Sequence, residues 1–178
     1  MLNRRNYALS IRQVKKEVRA LGVAIKKKSM GGAFNIVGVV FRGNSLIDGV
    51  MMTEAKCSDL TSEVAQMILS SRHYEQIRVI ILEHPMTDGS ASIDPLRLAQ
   101  SVSKPVLILT LGLTPQLRDE VINHLQIEKN KRIFSVASIG IKSRTAEKVI
   151  KMASRLDEAL PECLRVSNLI LDSLTCFE

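Results

Sequence analysis

Aromatic residues are scarce in this sequence: they make up 3% of its 178 residues, and none of them is tryptophan. Proteins commonly bind single-stranded nucleic acids by stacking the bases on aromatic side chains, and this chain has almost no aromatic side chains for such stacking. Cysteine is scarce as well, since Cys57, Cys163 and Cys176 are odd in number and far apart. Their spacing matches neither a disulfide framework nor a C-x-x-C metal site, and we interpret them as small apolar core residues.

Long hydrophobic runs are also missing. No apolar run reaches the roughly 18 to 20 residues of a membrane span, and the basic N-terminus lacks the apolar segment and the cleavage site of a signal peptide. These absences predict a cytoplasmic protein without a membrane partner. The hydrophobic content of 46% predicts a single domain with a substantial core over residues 14–178, preceded by a basic N-terminal arm over residues 1–13.

Charge is unevenly distributed along the chain, whose net charge is +7. Residues 1–28 contain nine Lys or Arg and one acid, and residues 128–155 contain eight bases and two acids. Two basic regions on an otherwise acidic body are typical of a phosphate-binding surface. Solvated surface lysine without a partner explains the same distribution equally well.

The stretch NIVGVVFRGNSLIDGVMMTEAKC, residues 35–57, organises the predicted fold. Its apolar runs at 36–41 and 46–52 flank a Gly-Asn-Ser turn, which predicts a β-hairpin. The first run is almost continuously apolar, so we expect both of its faces to be covered by helices. Arg42 and Asp48 are charged residues in this apolar setting, and we interpret them as a structural ion pair in preference to a functional couple.

The other strands are predicted from short branched apolar runs, and the helices from apolar residues spaced three and four positions apart. Strands are expected at 18–25, 77–82 and 105–109 with a short one at 133–135, and helices at 60–71, 93–102, 114–125, 143–156 and from 161 onward. Right-handed crossovers return the chain to an open sheet edge. We therefore predict an α/β fold with a mixed five-stranded sheet in the order 3-2-1-4-5, strand 2 antiparallel, and helices on both faces.

Isolated residues carry weaker signals. His73, His84 and His124 are scattered, and a lone histidine is most often a surface or structural residue. The sequence has no phosphate-binding loop and no dinucleotide-binding glycine pattern. Met51 and Met52 are candidates for contact with a second subunit, which would make the protein a homodimer.

Five segments of the chain resemble one protein family. They are VKKEVRALGV (14–23), VGVVFRGNSLIDGV (37–50), IRVIIL (77–82), KPVLIL (104–109) and LPECLRVSNLI (160–170). They are similar to a largely archaeal family of uncharacterised proteins, known as domain of unknown function ninety-nine, which is placed beside endonuclease V. The resemblance covers residues 14–172 and implies a ribonuclease H-like fold, whose nucleases hold Mg²⁺ with carboxylates at the carboxyl ends of neighbouring strands.

The chain departs from the pattern of that family at its acidic positions. Ala24 stands where the family has an acid after the first strand, and Lys56 replaces an acid after the third strand. Asp59 and Glu83 keep an acid, and Asn168 stands where the family often has histidine. The resemblance therefore implies an eroded site in which Glu83 and Asp59 are catalytic remnants, and we expect no metal or other cofactor.

Three functions stay open at this point. The first is nucleic-acid binding without cleavage, through a basic sheet edge and one further arginine: Lys26, Lys27, Lys28, Lys56 and Arg42. The second is a Mg²⁺-dependent nuclease that uses Glu83 with Asp59 and Asp88 or Asp94. The third is a scaffold for protein association in which the charge is incidental. We favour nucleic-acid binding, because an ammonium group binds phosphate directly and repels a divalent cation.

Overall fold

The computed structural model describes residues 17–28, 32–56, 59–83, 92–112 and 122–175. Within these ranges lie seven strands: β1 (Arg19–Lys27), β2 (Ala33–Arg42), β3 (Leu46–Lys56), β4 (Val79–Glu83), β5 (Val106–Leu111), β6 (Asn123–Lys129) and β7 (Arg132–Ile139). Four helices accompany them: α1 (Leu60–Leu69), α2 (Pro95–Val102), α3 (Ser143–Ala153) and α4 (Glu162–Thr175). The predicted arm at residues 1–13 lies outside the described ranges.

The first five strands pair in the predicted order. One sheet runs β3-β2-β1-β4-β5-β7-β6. β1 pairs antiparallel with β2, and β2 pairs antiparallel with β3. β4 lies parallel to β1, with Val79 opposite Ala20, and β5 lies parallel to β4. The predicted order 3-2-1-4-5 with strand 2 antiparallel is therefore confirmed for this part of the sheet, as right-handed crossovers require.

The sheet has seven strands, so the prediction of five is wrong. β6 and β7 add a hairpin beside β5, and the helix predicted over 114–125 is contradicted at residues 123–125, which begin β6. Asn130 and Lys131 form the turn, with positive φ angles of 49° and 61°. A type I′ turn needs positive φ at both central residues, and lysine in place of the usual glycine hides this turn in the sequence. Residue 122 is described and is not helical, and residues 114–121 of the predicted helix lie outside the described ranges.

Helices cover both faces of the sheet, as predicted. α1 and α2 pack on one face, against side chains that include Leu21 and Val23 of β1. α3 and α4 pack on the other face, against side chains that include Ala20 and Ala24 of the same strand. Successive residues of β1 therefore enter opposite layers, which explains why the strand is almost continuously apolar. Of the helices that the structure describes, none is long and apolar enough to cross a membrane.

Helix α4 is held directly on β1 by a glycine and by polar contacts. A Cβ atom at Gly22 would collide with the backbone of Cys163, so only glycine permits this close approach. The Ser167 hydroxyl donates a 2.9 Å hydrogen bond to the carbonyl oxygen of Gly22. Glu162 is buried, and its carboxylate accepts hydrogen bonds of 2.8 and 2.9 Å from Arg165. The Glu162–Arg165 bonds lie within α4, so it is the contacts of Gly22 with Cys163 and Ser167 that orient α4 on β1.

Candidate nucleic-acid interface

Four lysines lie where β1 and β3 end. Lys26 and Lys27 close β1, Lys28 follows them, and Lys56 closes β3. The hairpin register places Lys27 and Lys56 opposite neighbouring residues of β2, so the two strand ends lie on the same side of the sheet. We call Lys26, Lys27, Lys28 and Lys56 the lysine edge. The fold thus brings together the four lysines that the strand directions predicted at one edge.

Lys26 and Lys28 of this edge form ion pairs with carboxylates. Lys26 Nζ lies 3.0 Å from Asp172 Oδ1, and Lys28 Nζ lies 2.7 Å from Glu54 Oε2. Exposed ion pairs of this kind contribute about 0 to 1 kcal/mol, because water competes for both charges. A phosphate group is therefore able to displace either carboxylate. The lysine edge is nevertheless less positive than its four ammonium groups alone predict.

Glu83 ends β4 on the same side of the sheet, beside β1. Val23 is the register partner of Leu82, which places Ala24 next to Glu83. Ala24 is buried and presents a methyl group, so it supplies no oxygen at this point. The exposed Glu83 carboxylate accepts a 3.1 Å hydrogen bond from Asn168 Nδ2 of α4. Positions 24, 83 and 168, which the sequence resemblance assigned to an eroded site, therefore lie together.

Asp172 extends this group by one helical turn. It follows Asn168 by four positions on α4, so both side chains lie on the same flank of the helix. Asp172 forms an ion pair with Lys26, whereas Asn168 donates a hydrogen bond to Glu83. Sequence analysis missed Asp172, although its spacing from Asn168 was a usable signal. Two polar contacts thus join α4 to the ends of β1 and β4.

Asp59 begins α1, in the helix layer opposite α4. Its Oδ1 accepts a 3.1 Å hydrogen bond from the Ser62 N–H and so caps the helix. Arg97 of α2 contacts both oxygens of the carboxylate, at 3.1 and 2.6 Å. Hydrogen bonds from Arg97 and then Ser62 lower the pKa of Asp59 to about 2. Asp59 is therefore a helix cap and an ion-pair partner, and this geometry gives no support to the catalytic role predicted for it.

Asp94 caps α2 in a similar way, by accepting 3.0 Å hydrogen bonds from the N–H groups of Leu96 and Arg97. Asp88 and His84 lie outside the described residues. Among the side chains that the structure does describe, no three of His, Cys, Asp or Glu converge in a way that could hold a metal ion. A Mg²⁺ site that combines Glu83 with Asp59 or Asp94 would require side chains that are engaged in separate helix caps.

Arg42 lies at the opposite end of the hairpin from the lysine edge. It is the register partner of Arg19, at the start of β1. Asp48 joins the two arginines, with Oδ1 2.8 Å from Arg42 Nη2 and Oδ2 2.6 Å from Arg19 Nε. The hydrogen bond from Arg42 holds the pKa of Asp48 below its usual value. Arg42 therefore forms the structural ion pair that the sequence indicated, and it lies apart from the four lysines with which it was predicted to bind nucleic acid.

The second basic region of the sequence lies on other elements. Its residues belong to the β6–β7 hairpin, to α3 and to the segments next to them. Lys129 is partly buried and donates to the carbonyl oxygen of Arg155, and this burial lowers the pKa of Lys129. Lys151 pairs with Glu147 at 2.6 Å. The described part of the first basic region lies on β1 and next to its ends, and β4 and β5 separate β1 from the β6–β7 hairpin.

Comparison with known proteins identifies the family. A family model described as Endonuclease dU matches residues 16–175. The chain belongs to the endonuclease dU family. Archaeal relatives support this: the UPF0215 protein of Methanosarcina acetivorans is 30% identical, over 88% of this chain and 90% of its own length. The UPF0215 protein of Methanothermobacter thermautotrophicus is 27% identical, over 95% of this chain and 93% of its own length.

Solved structures relate this endonuclease dU family member to a wider fold group. A protein of unknown function from Archaeoglobus fulgidus matches with a TM-score of 0.72 and 21% identity, covering 88% of this chain and 98% of that one. Endonuclease V of Ciona intestinalis, solved in complex with a DNA that contains an inosine, matches with a TM-score of 0.67 and 14% identity, covering 95% and 90%. The expected relation to endonuclease V is thus confirmed at the level of the fold.

Proposed function

We propose that this member of the endonuclease dU family binds nucleic acid through the lysine edge and does not cleave it with Mg²⁺. One observation carries the proposal: where β1 and β4 end side by side, Ala24 lies next to Glu83, on the same side of the sheet as the lysine edge. Nucleases of this fold hold Mg²⁺ at such a place with converging carboxylates. Among the described residues, the neighbours of Glu83 include the methyl group of Ala24 and the amide of Asn168.

The electrostatics of this edge favour a phosphate over a divalent cation. Mg²⁺ usually needs one or two well-placed carboxylates together with substrate phosphates. Two unit charges of the same sign about 4 Å apart repel by about 4 kcal/mol at an effective dielectric constant of about 20. A lysine at that distance would lower the affinity for the ion by roughly three powers of ten, since about 1.4 kcal/mol is tenfold. The same ammonium group attracts phosphate.

Nucleic acid is the phosphate partner that the surroundings support best. Lys26 and Lys27 are successive residues of one strand, so their side chains leave opposite faces and can contact separate phosphates. The family description names an endonuclease, and the Ciona protein is solved with DNA. We expect contacts to the phosphate backbone, because 3% aromatic content leaves little to stack on bases. Binding should therefore depend little on base sequence.

Fluorescence anisotropy with a labelled duplex, in buffer that contains EDTA, tests the proposal. Replacing the four lysines of the lysine edge with alanine should weaken binding by about tenfold or more. The matched control removes four lysines of the second basic region: Lys131, Lys142, Lys148 and Lys151. Equal loss in both variants, or loss in the control alone, contradicts the lysine edge as the interface. Affinity that changes in neither variant supports the protein-association scaffold.

A metal-dependent nuclease is the second candidate, because Asn168 and Asp172 bring oxygen atoms to the flank of α4 that faces Glu83 and Lys26. Mg²⁺ binding there would require Asp172 to release Lys26. Incubation of deoxyuridine-containing, inosine-containing and ordinary duplexes with Mg²⁺ or Mn²⁺ separates the two functions. Cleavage that disappears in Glu83→Gln establishes the nuclease, and intact substrate supports binding without cleavage.

A further inference from the structure

The outer strand β3 carries exposed apolar side chains along one edge of the sheet. Val50 and Met52 are 54% and 61% exposed, and Leu46 and Ile47 are exposed to a similar degree. β3 stands first in the strand order, so within the described part of the chain one row of its backbone N–H and C=O groups has no strand neighbour. A strand edge of this kind is a template for the addition of another strand.

Strand β6, at the opposite edge of the sheet, is shorter and more polar than β3. β6 has seven residues and exposes Asn123, Gln126 and Glu128, whereas its Ile127 is buried. β3 has eleven residues, and its central segment 49–53 reads Gly-Val-Met-Met-Thr, without a charge. Charged side chains on an edge strand oppose pairing with another strand. β6 therefore carries such protection, and the centre of β3 does not.

The charges that flank segment 49–53 are neutralised within the chain. Asp48 lies between Arg42 and Arg19, and Glu54 holds Lys28. A strand that adds to the centre of β3 therefore meets no unpaired charge from β3 itself, and Glu63 and Arg72, which line the α1 side of the neighbouring cavity, carry opposite charges. An uncharged strand fits this edge best, and segment 49–53 of a second copy is such a strand.

We propose that β3 is the contact between two copies of this chain, whose β3 strands pair antiparallel about a twofold axis. The contact is self-complementary, because a twofold axis makes both copies present the same residues. Val50 and Met52 pair in register with Val39 and Val37 of β2, which belong to the layer of α3 and α4. On that face the partner strand covers Val50 and Met52 with its own apolar side chains.

The other face of β3 offers space for the partner strand. A cavity of about 570 Å³ lies between residues 50–53 of β3 and the segment of α1 and its following turn that includes Met67 and His73. Met51 packs toward this α1 layer, and residues opposite one another in an antiparallel pair point to the same face. A partner strand would therefore turn its alternate residues toward the cavity: the partner's Gly49, the partner's Met51 and the partner's Thr53. None of these is charged.

Sedimentation velocity of the full chain over a wide concentration range tests the contact. A concentration-dependent dimer is expected. Replacing both Val50 and Met52 with lysine places four like charges in the contact and should weaken dimerisation by about a hundredfold or more. Leu169→Lys is the matched control, since Leu169 is 52% exposed but lies on α4, and it should leave the dimer intact.

Hydrogen exchange locates the contact. Amides in residues 49–54 should exchange more slowly in the unaltered dimer than in the doubly substituted chain. A chain that stays monomeric at every concentration, or a dimer that survives both substitutions, overturns the proposal. Binding of an unrelated extended peptide to β3 of a monomeric chain also overturns it, in favour of a peptide-binding edge.

Discussion

The side-chain amide of Asn168 donates a hydrogen bond to the carboxylate of Glu83 and so joins the last helix to a central strand of the sheet. One turn later on the same helix, Asp172 pairs with Lys26. These contacts lie around Ala24, at the place where a carboxylate would have to stand to complete a metal site. The arrangement favours an anion over a cation at the ends of β1 and β4.

Binding to duplex DNA should weaken steeply as the salt concentration rises. Each neutralised phosphate contributes about 0.9 to the slope of log K against log salt, so four lysines would give a slope of about −3.6. Asp172 and Glu54 compete with phosphate for two of the lysines, and we expect a slope of about −2 to −3. Anisotropy titrations at several salt concentrations measure it. A slope that the four lysine-to-alanine replacements leave unchanged would count against the lysine edge.

Restoring two acids should create a Mg²⁺ site. Ala24→Asp places a carboxylate beside Glu83, and Lys56→Asp removes an ammonium group from the lysine edge. In isothermal calorimetry the unaltered protein should give no heat of Mg²⁺ binding, whereas the double variant should bind the ion. The melting temperature of the double variant should then rise with Mg²⁺ by mass action.

The single variant Lys56→Asp is the control for this experiment, because it changes the charge without adding a carboxylate beside Glu83. Micromolar Mg²⁺ binding and strand cleavage by the unaltered protein would show that the site is a working nuclease centre.

Asp59 should make stability depend on pH in acid. Its pKa is about 2 in the folded protein, because Arg97 and Ser62 hydrogen-bond to the carboxylate, and about 3.9 in an unfolded chain. A lowered pKa stabilises the fold above about pH 4, and this contribution is lost as the pH falls toward about 2. Asp59→Asn keeps a capping side chain but removes the charge. This substitution should lower the urea midpoint at neutral pH and change the midpoint much less in strong acid. An equal change at both pH values would contradict the lowered pKa of Asp59.

Gly22→Ala should destabilise the protein more than Gly38→Ala does. A Cβ at Gly22 meets the backbone of Cys163, which cannot move unless α4 moves, whereas a Cβ at Gly38 meets the flexible side chain of Met51. Overpacking typically costs about 1 to 3 kcal/mol, and we expect about 3 kcal/mol or more for Gly22→Ala and about 1 kcal/mol for Gly38→Ala. Urea denaturation of both variants measures the difference. Equal costs would mean that α4 does not rest directly on β1.

The order of the first five strands was predictable because local signals decide it. The Gly-Asn-Ser turn sets the direction of β3, and the handedness of crossovers leaves β4 one open edge beside β1. A short strand was predicted at 133–135, inside β7, but its pairing with β6 was missed. The turn consists of Asn130 and Lys131, and the positive φ of Lys131 has no signature in the sequence. A residue type that rarely adopts positive φ thus concealed β6 and its hairpin with β7.

The contacts at the site were harder to predict because they join residues that are distant in the chain. Lys26 and Asp172 are 146 positions apart, and Glu83 and Asn168 are 85 apart. Strand directions predict that the carboxyl ends of β1, β3 and β4 lie on one side of the sheet. Which side chains of α4 contact those ends depends on how the helix packs on the sheet. Asp59 was predicted to be a catalytic remnant without knowledge of its ion pair, because its partner Arg97 is brought to it only by the packing of α2 on α1.

Helix α4 supplies one side of both polar contacts at the ends of β1 and β4, and it is the last element that the structure describes. A protein is synthesised from its N-terminus, so β1 to β5 can pair while the ribosome is still translating α4. A nascent chain at that stage has Lys26 and Glu83 but neither Asp172 nor Asn168. The two polar contacts at the ends of β1 and β4 therefore form only after α4 has been made, and until then Asp172 does not compete with phosphate for Lys26.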